Sequence, residues 1–435
     1  MANNMNNTLL NNRFSDLEDI KYSREKCVRC NMCKFIPLAR VEHQAFSMGC
    51  PAYEEYNFTA NSGGGIVIMA NSLASGRSTV TEAVAKTVFN CTLCGLCDVS
   101  CKHNNDIEVL ETLLLARKKI FDENALQPEH QLFLDHIKTA HHPITTHVSD
   151  KNQANHIDSD PNATRLLWVG PHFARDQRYA SWLNNIIAIL KSTGMSFKLL
   201  YDAEPYTGRA ALELGDFQYF MDQSKRVEAA IAQANVSEII CLSAEDYSTL
   251  RSQTPKFATI KTPIKHIVEV YESLIDSGKL AVKSEQQWTD MAWHDPCYLG
   301  RLGGRFTYWE GRKKLEFGMP IYEPARPINY GSDGVFEPPR HILKHFAYPE
   351  LKEFSRRKEY SFNAGESGQA LISNPEFALN TAKRRLQEAA ALGIQTIVTE
   401  CPQAYTSLKN AAGFFENIEV ISLTSLLASA NRKKI

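Results

Sequence analysis

Cysteine is the residue type whose placement in this chain can do chemistry. Of eleven cysteines, eight lie between Cys27 and Cys101, and Cys241, Cys297 and Cys401 are spread over the rest of the 435 residues. The first group reads Cys27-Val-Arg-Cys30-Asn-Met-Cys33, with Cys50-Pro51 farther along. The second reads Cys91-Thr-Leu-Cys94-Gly-Leu-Cys97, with Cys101 close behind. A cubane 4Fe–4S cluster takes four thiolates, and three from one tight loop plus a fourth from elsewhere supply them. Structural zinc takes its thiolates in pairs. Two C-x2-C-x2-C groups therefore point to two 4Fe–4S clusters, with zinc or free buried thiols as the alternative. In two-cluster ferredoxins the distal cysteine commonly ligates the other cluster. The expected sets are Cys27, Cys30, Cys33 and Cys101 for one cluster, and Cys91, Cys94, Cys97 and Cys50 for the other. Uncrossed pairing is the alternative.

The rest of the composition is that of an ordinary soluble globular protein, with 43% apolar and 22% charged residues. Lys and Arg number 48 against 49 Asp and Glu. This balance argues against nucleic-acid binding by bulk charge and against a polybasic membrane anchor. No apolar run reaches the roughly 18–20 residues that span a bilayer. The Asn-rich start, Met1 to Asn12, lacks the charged and apolar regions of a signal peptide. The expectation is a cytoplasmic protein, since a disulfide scaffold would be small and Cys-rich throughout.

The elements that must position the thiols are helical. Val80 to Phe89 leads into the second group at helical spacing, and Glu108 to Phe121 leads out of it with acidic residues early and basic ones late. Beyond a polar stretch, Thr145 to Thr164, apolar runs alternate with helical patterns. Arg165–Val169, Phe197–Tyr201, Glu238–Leu242, Ala292–His294 and Thr396–Thr399 read as buried strands. Arg175–Lys191, Lys225–Ala234 and Pro375–Leu392 read as helices. Such alternation implies parallel α/β sheets. The region also repeats itself: Glu238–Ser252 lines up with Thr396–Asn410, Tyr206–Gly208 with Asn363–Gly365, and Trp168–Pro171 with Trp293–Pro296. A duplicated α/β unit follows, with the extra residues of the second copy expected between Gly303 and Glu337.

His294-Asp-Pro-Cys-Tyr-Leu-Gly-Arg301, Glu337-Pro-Pro-Arg340 and Thr399-Glu-Cys-Pro402 resemble the cysteine-rich CCG repeats of the heterodisulfide reductase D-type family. That family joins a helical two-cluster ferredoxin to two CCG domains, and the resemblance runs from about Lys21 to near the end of the chain. It implies an α+β multidomain fold: an N-terminal α-helical ferredoxin followed by two tandem α/β CCG-type domains. The divisions are 1–20, a disordered Asn-rich start; 21–145, the ferredoxin; 146–164, a linker; 165–285, the first CCG-like domain; and 286–435, the second. In the family the CCG cysteines hold a noncubane cluster. Here most are gone. Pro171 and His172 stand near the first lost cysteine, Cys-Cys-Gly has become Tyr206-Thr207-Gly208 and Asn363-Ala364-Gly365, and Ser243, Asp246 and Ala404 fill other former ligand positions. Only Cys297 and Cys401 remain, so no noncubane cluster is expected.

The resemblance implies an electron-transfer iron–sulfur subunit of a multisubunit redox complex, not itself the catalyst. Its partners would be other redox subunits, a flavoprotein first among them, with membrane association only through a partner. The alternative is a heterodisulfide reductase-like oxidoreductase with a reshaped metal or thiol site at Cys297 and Cys401, helped by His294. Cys241 reads as buried filler, His43 and His103 as structural neighbours of ligands, and His141-His142 as a helix end. Gly63-Gly64-Gly65 is no phosphate loop, because no Gly-Lys-Ser/Thr follows.

Overall fold

A computed structural model describes residues 14–282, 287–317 and 319–431. Its amino-terminal third is a set of helices, several of them begun by a recognisable signal. Ser62 caps Gly63–Ala74 by accepting from the Gly65 amide, and Thr81 caps Glu82–Phe89 by accepting from Val84. Leu96–Lys102 and Val109–Asp122 follow, and Pro128 opens Pro128–Ala140. His141 closes that last helix in the left-handed conformation, φ 57°.

Two parallel three-stranded sheets come next. The first has the order β1 (Arg165–Trp168), β2 (Glu238–Cys241), β3 (Ile264–His266). The second has β4 (Met291–Trp293), β7 (Thr396–Thr399) and β8 (Glu419–Ser422) in the same arrangement. Register matches as well. Arg165 pairs with Glu238 in one sheet and Met291 with Thr396 in the other, and a single extra bridge extends each edge, Leu166 to Lys198 and Ala292 to Lys352. The duplication read from sequence is thus a duplication of topology. Between the copies' equivalent elements lies an antiparallel hairpin, β5 (Arg312–Glu316) and β6 (Met319–Glu323), inside the expected insertion. Leu166, Leu167, Trp168, Met291, Ala292 and Trp293 are all fully buried, as strands covered on both faces require.

Four sequence readings change. Phe197–Tyr201 is not a strand but one bridge at Lys198 followed by a 3-10 turn, Tyr201–Ala203. The helix read as Arg175–Lys191 is two helices, Gly170–Arg175 and Ala180–Ser192, broken where buried Asp176 turns to bind the Arg178 guanidinium. The polar stretch before β1 is packed: Ala154 and Ile157 join the core, and Gln153 donates to the Phe173 and Asp176 carbonyls. Leu17 and Ile20, within the segment read as disordered, are buried against the ferredoxin helices. Residues 1–13 of that segment, the boundary at 285/286 and the terminal 432–435 lie outside the described residues. Among the described residues no helix is long and apolar enough to cross a membrane.

The units share cores. Ile36, Cys94, Leu96 and Val99 of the ferredoxin pack into the core of the two sheets, and Tyr206, Leu212, Leu214 and Phe220 pack among the ferredoxin helices. Two sequence motifs meet in the second unit: Arg340 of Glu-Pro-Pro-Arg grips Asp295 of His-Asp-Pro-Cys with two bonds of 2.8 Å, and holds Glu353 on its other side. Arg340→Ala would leave Asp295 buried without its cation, which typically costs about 3–5 kcal/mol. Denaturant unfolding of the variant should show a loss of that size, and a loss below about 1 kcal/mol would mean the clamp does not hold the unit.

Candidate metal centre

The loop carrying the first three thiols curls because Arg29 and Asn31 take left-handed backbone conformations, φ 58° and 68°. Cys27, Cys30 and Cys33 then line one cavity, and Cys101, arriving on the helix Leu96–Lys102, lines it too. Neutral amides serve this set: Gly64 N donates to Cys33 Sγ at 3.2 Å, and Asn104 Nδ2 to Cys30 Sγ at 3.2 Å. Burial pushes the Cys101 thiol up to about 12, and Cys30 is the thiol that acts on it. Cys30 is exposed, and Val28 beside it is 65% exposed.

The second loop curls in the same way, at Leu93 (φ 49°) and Gly95 (φ 79°). Here the thiols are enclosed, with Cys94 and Cys97 buried. Burial raises Cys97, and Cys91, Cys94 and Cys50 are the thiols that raise it further. Cys50 stands just before the helix Pro51–Tyr56. Burial raises it first, then Cys91, with smaller contributions from Cys94 and Cys33. Burial pushes Cys91 up to about 11 against the opposing Arg117 guanidinium. Cys101 thus lines the same cavity as Cys27, Cys30 and Cys33, while Cys50 lies within electrostatic reach of Cys91, Cys94 and Cys97, and also of Cys33.

A wedge separates the two sets. The helix Gly63–Ala74 begins between them, and a Cβ at Gly63 would stand 2.7 Å from Cys97 Sγ while one at Gly64 would stand 2.9 Å from Cys33 Sγ. Only glycine lets the backbone come this close to both. Each set offers four soft thiolates beside backbone amides, the donor chemistry of an iron–sulfur cluster. Among the described residues no three His, Cys, Asp or Glu side chains meet at the spacing of a single-ion site.

The remaining candidates are not assembled into a second centre. Cys297 Sγ accepts from Arg301 Nη2 at 3.0 Å and from Asn363 Nδ2 at 3.2 Å, and its own thiol hydrogen-bonds Cys94. That bond, ahead of burial and Arg301, holds Cys94 well below the usual thiol range, while burial and the same bond hold Cys297 well above it. Cys297 thus sits beside Cys94 of the second cysteine loop. Cys401 turns instead to Gln403 Oε1 at 3.4 Å, and His294 Nδ1 accepts from Arg385 Nε at 3.2 Å. In the first unit the positions that the resemblance aligns with ligands bond to one another: Ser243 Oγ donates to Asp246 Oδ2 at 2.6 Å and Thr207 Oγ1 to Asp246 Oδ1 at 2.8 Å. Cys241 is buried in the core; His43 and His103 are exposed, the latter against the Tyr330 ring.

Sequence reasoning missed two arginines. Arg117 Nη2 donates to the Cys91 carbonyl and Arg301 Nε to the Cys94 carbonyl, each at 2.5 Å. Arg117 had a signal. It interrupts the apolar run of its helix on the same face as Leu113 and Ile120, where a charge needs a partner. Arg301 closes the motif that begins at His294.

Residues 23–105, which contain all eight ferredoxin cysteines, match the family described as a 4Fe-4S dicluster domain. The chain is 22% identical over 365 residues to a probable iron-sulfur-binding oxidoreductase, FadF, of Bacillus subtilis, covering 80% of this chain and 47% of that protein. It is 23% identical over 374 residues to the D-type subunit of the dihydromethanophenazine:CoB–CoM heterodisulfide reductase of Methanosarcina acetivorans, covering 80% of this chain and 79% of that one. It is 24% identical over 275 residues to an EtfAB:quinone oxidoreductase of Syntrophomonas wolfei, covering 61% and 34%. The chain thus spans about half the length of the Bacillus relative and most of the Methanosarcina one. The dicluster domain and these relatives agree: the chain carries an iron–sulfur dicluster domain and is similar to D-type heterodisulfide reductase subunits and related iron–sulfur oxidoreductases.

Proposed function

We propose that the chain is an electron-relay subunit holding two 4Fe–4S clusters. The outer is held by Cys27, Cys30, Cys33 and Cys101, the inner by Cys50, Cys91, Cys94 and Cys97. The observation that carries this reading is the sorting of eight thiols into two neighbouring groups, one open to solvent at Cys30 and one enclosed by the α/β units. When bound, each cluster takes up and gives back one electron at a time. The chain's own residues set the rest. Gly63 and Gly64 let the two sets approach, Gly64 N and Asn104 steady the outer thiolates, and the exposed rim at Val28 and Cys30 offers the contact face for a redox partner. A flavoprotein subunit is the partner we favour. The names of the relatives, all oxidoreductases or subunits of one, support a redox assembly.

Protein purified without oxygen should contain about eight iron atoms per chain and, once reduced, show two magnetically interacting centres by EPR. Zinc in place of iron would overturn the reading.

Ligand pairing is tested by substitution. Cys50→Ser and Cys94→Ser should perturb one centre, and Cys101→Ser and Cys27→Ser the other. If Cys50→Ser instead changed the centre that Cys27→Ser changes, the pairing would be uncrossed. Cys401→Ala should leave both signals unchanged, because that thiol touches neither group; loss of either signal would place Cys401 at a centre.

A further inference from the structure

Seven arginines are buried among the described residues: Arg24, Arg117, Arg209, Arg301, Arg340, Arg356 and Arg385. Five of them hold a carboxylate, as a buried cation must to offset its lost hydration. Arg117, 0% exposed, and Arg301, 3% exposed, make no ion pair among the described residues. Both are instead held by neutral acceptors. Arg117 spans the carbonyls of Cys91, Glu213 and Gly368, and Arg301 those of Cys94, Glu359 and Ser361 together with Cys297 Sγ. Two guanidiniums thus flank the same Cys91-x-x-Cys94 loop with no carboxylate in direct contact among the described residues; Glu213 acts on Arg117 and Glu366 on Arg301 only from farther off.

We propose that Arg117 and Arg301 are the fixed counter-charges of the inner cluster, and that they make it the electron-accepting end of the pair. This rests on the two-cluster reading above. A cluster on four thiolates is an anion, and reduction makes it more negative. Enclosure alone opposes that added charge. A cation fixed against the ligand loop in a water-poor site favours it, because little solvent screens the attraction. The outer group differs on both counts. Its buried lysines act only weakly on Cys33 and Cys101 and spend their close contacts elsewhere: Lys34 bonds Thr59 Oγ1 and lies over the Tyr53 ring, and Lys102 pairs with Glu108 and Asp106. The group also opens to water at Cys30. Electrons entering at the exposed cluster then run inward to a site prepared to hold them.

The test is an EPR-monitored redox titration of the full-length chain, the two centres being told apart by Cys30→Ser, which alters the outer one. In the unsubstituted protein the inner centre should be reduced at the higher potential. Arg301→Gln and Arg117→Gln should each shift the inner reduced-to-oxidised ratio at least tenfold toward oxidised, about 59 mV for a one-electron couple, and leave the outer centre in place. Arg301→Lys, which keeps the charge, should restore most of the shift. If Arg117→Gln does not fold, the Arg301 pair decides alone. Inner potentials unchanged by Arg301→Gln, equal movement of both centres, or an inner centre reduced below the outer one would each overturn the proposal while leaving two clusters in place. Absence of clusters from the unsubstituted protein would overturn the two-cluster reading and this proposal with it.

Discussion

One guanidinium ties the molecule together. Arg117 lies on a ferredoxin helix, yet its two terminal nitrogens reach a carbonyl from the second cysteine loop, one from the first α/β unit at Glu213 and one from the second at Gly368. Its planar fork donates to these three backbone acceptors at once, and to the Val88 carbonyl at 3.4 Å. The packing follows this constraint. Gly215 and Gly368 sit where the chain must close in, since a Cβ at Gly215 would stand 2.5 Å from the Arg117 carbonyl and one at Gly368 2.4 Å from Thr92. Ser367 Oγ adds a 2.7 Å bond to the Thr92 carbonyl, so the former cysteine-rich loop of the second unit is fastened to the inner cysteine loop. The ferredoxin is therefore not a detachable module but one wall of a shared core.

The two α/β units keep their shape without a thiol-rich centre among the described residues. Gly208 and Gly365, the last residues of the degenerate Cys-Cys-Gly motifs, both hold positive φ, 84° and 89°, and a Cβ at Gly365 would meet the Ala378 carbonyl at 2.2 Å. These glycines serve the backbone, so their requirement outlasts the cysteines. The vacated polar positions bond inward. Asp246 accepts from Ser243 and Thr207, and Asn363 donates to Ser367 Oγ and Cys297 while its carbonyl oxygen accepts from Gly365 N. Hydroxyl, amide and carboxylate groups are poor ligands for soft metals but good partners for each other, and each unit's topology survives on hydrogen bonds and apolar burial.

How far the sequence reveals this differs by level. The two cysteine groups are legible because their spacing is chemistry: three thiols on a curled loop cannot be explained by periodicity or packing. β2, β4 and β7 are legible as short apolar runs, and the duplication as matched segments around them. Phe197–Tyr201 misleads because an apolar run shows burial, not ladder formation, and here only Lys198 finds a bridge. β5 and β6 carry too little apolar alternation to announce a hairpin. The nearness of Cys50 to the distant second loop is not legible in the order of the chain. The contact of Cys297 with Cys94 has no local signal at all, because it joins residues whose approach only the packed units decide.

That contact changes the meaning of the surviving cysteine. Taken alone, Cys297 looks like a remnant of a lost site. In place, it shares Arg301 with the inner loop: Nη2 binds the Cys297 sulfur while Nε binds the Cys94 carbonyl, and Asn363 holds the thiol from the far side. Cys401 has no such tie and bonds within its own helix start, to Gln403 and the Ala404 backbone. Of the two cysteines left in the CCG units, one has been absorbed into the surroundings of the ferredoxin and the other into the packing of its own unit.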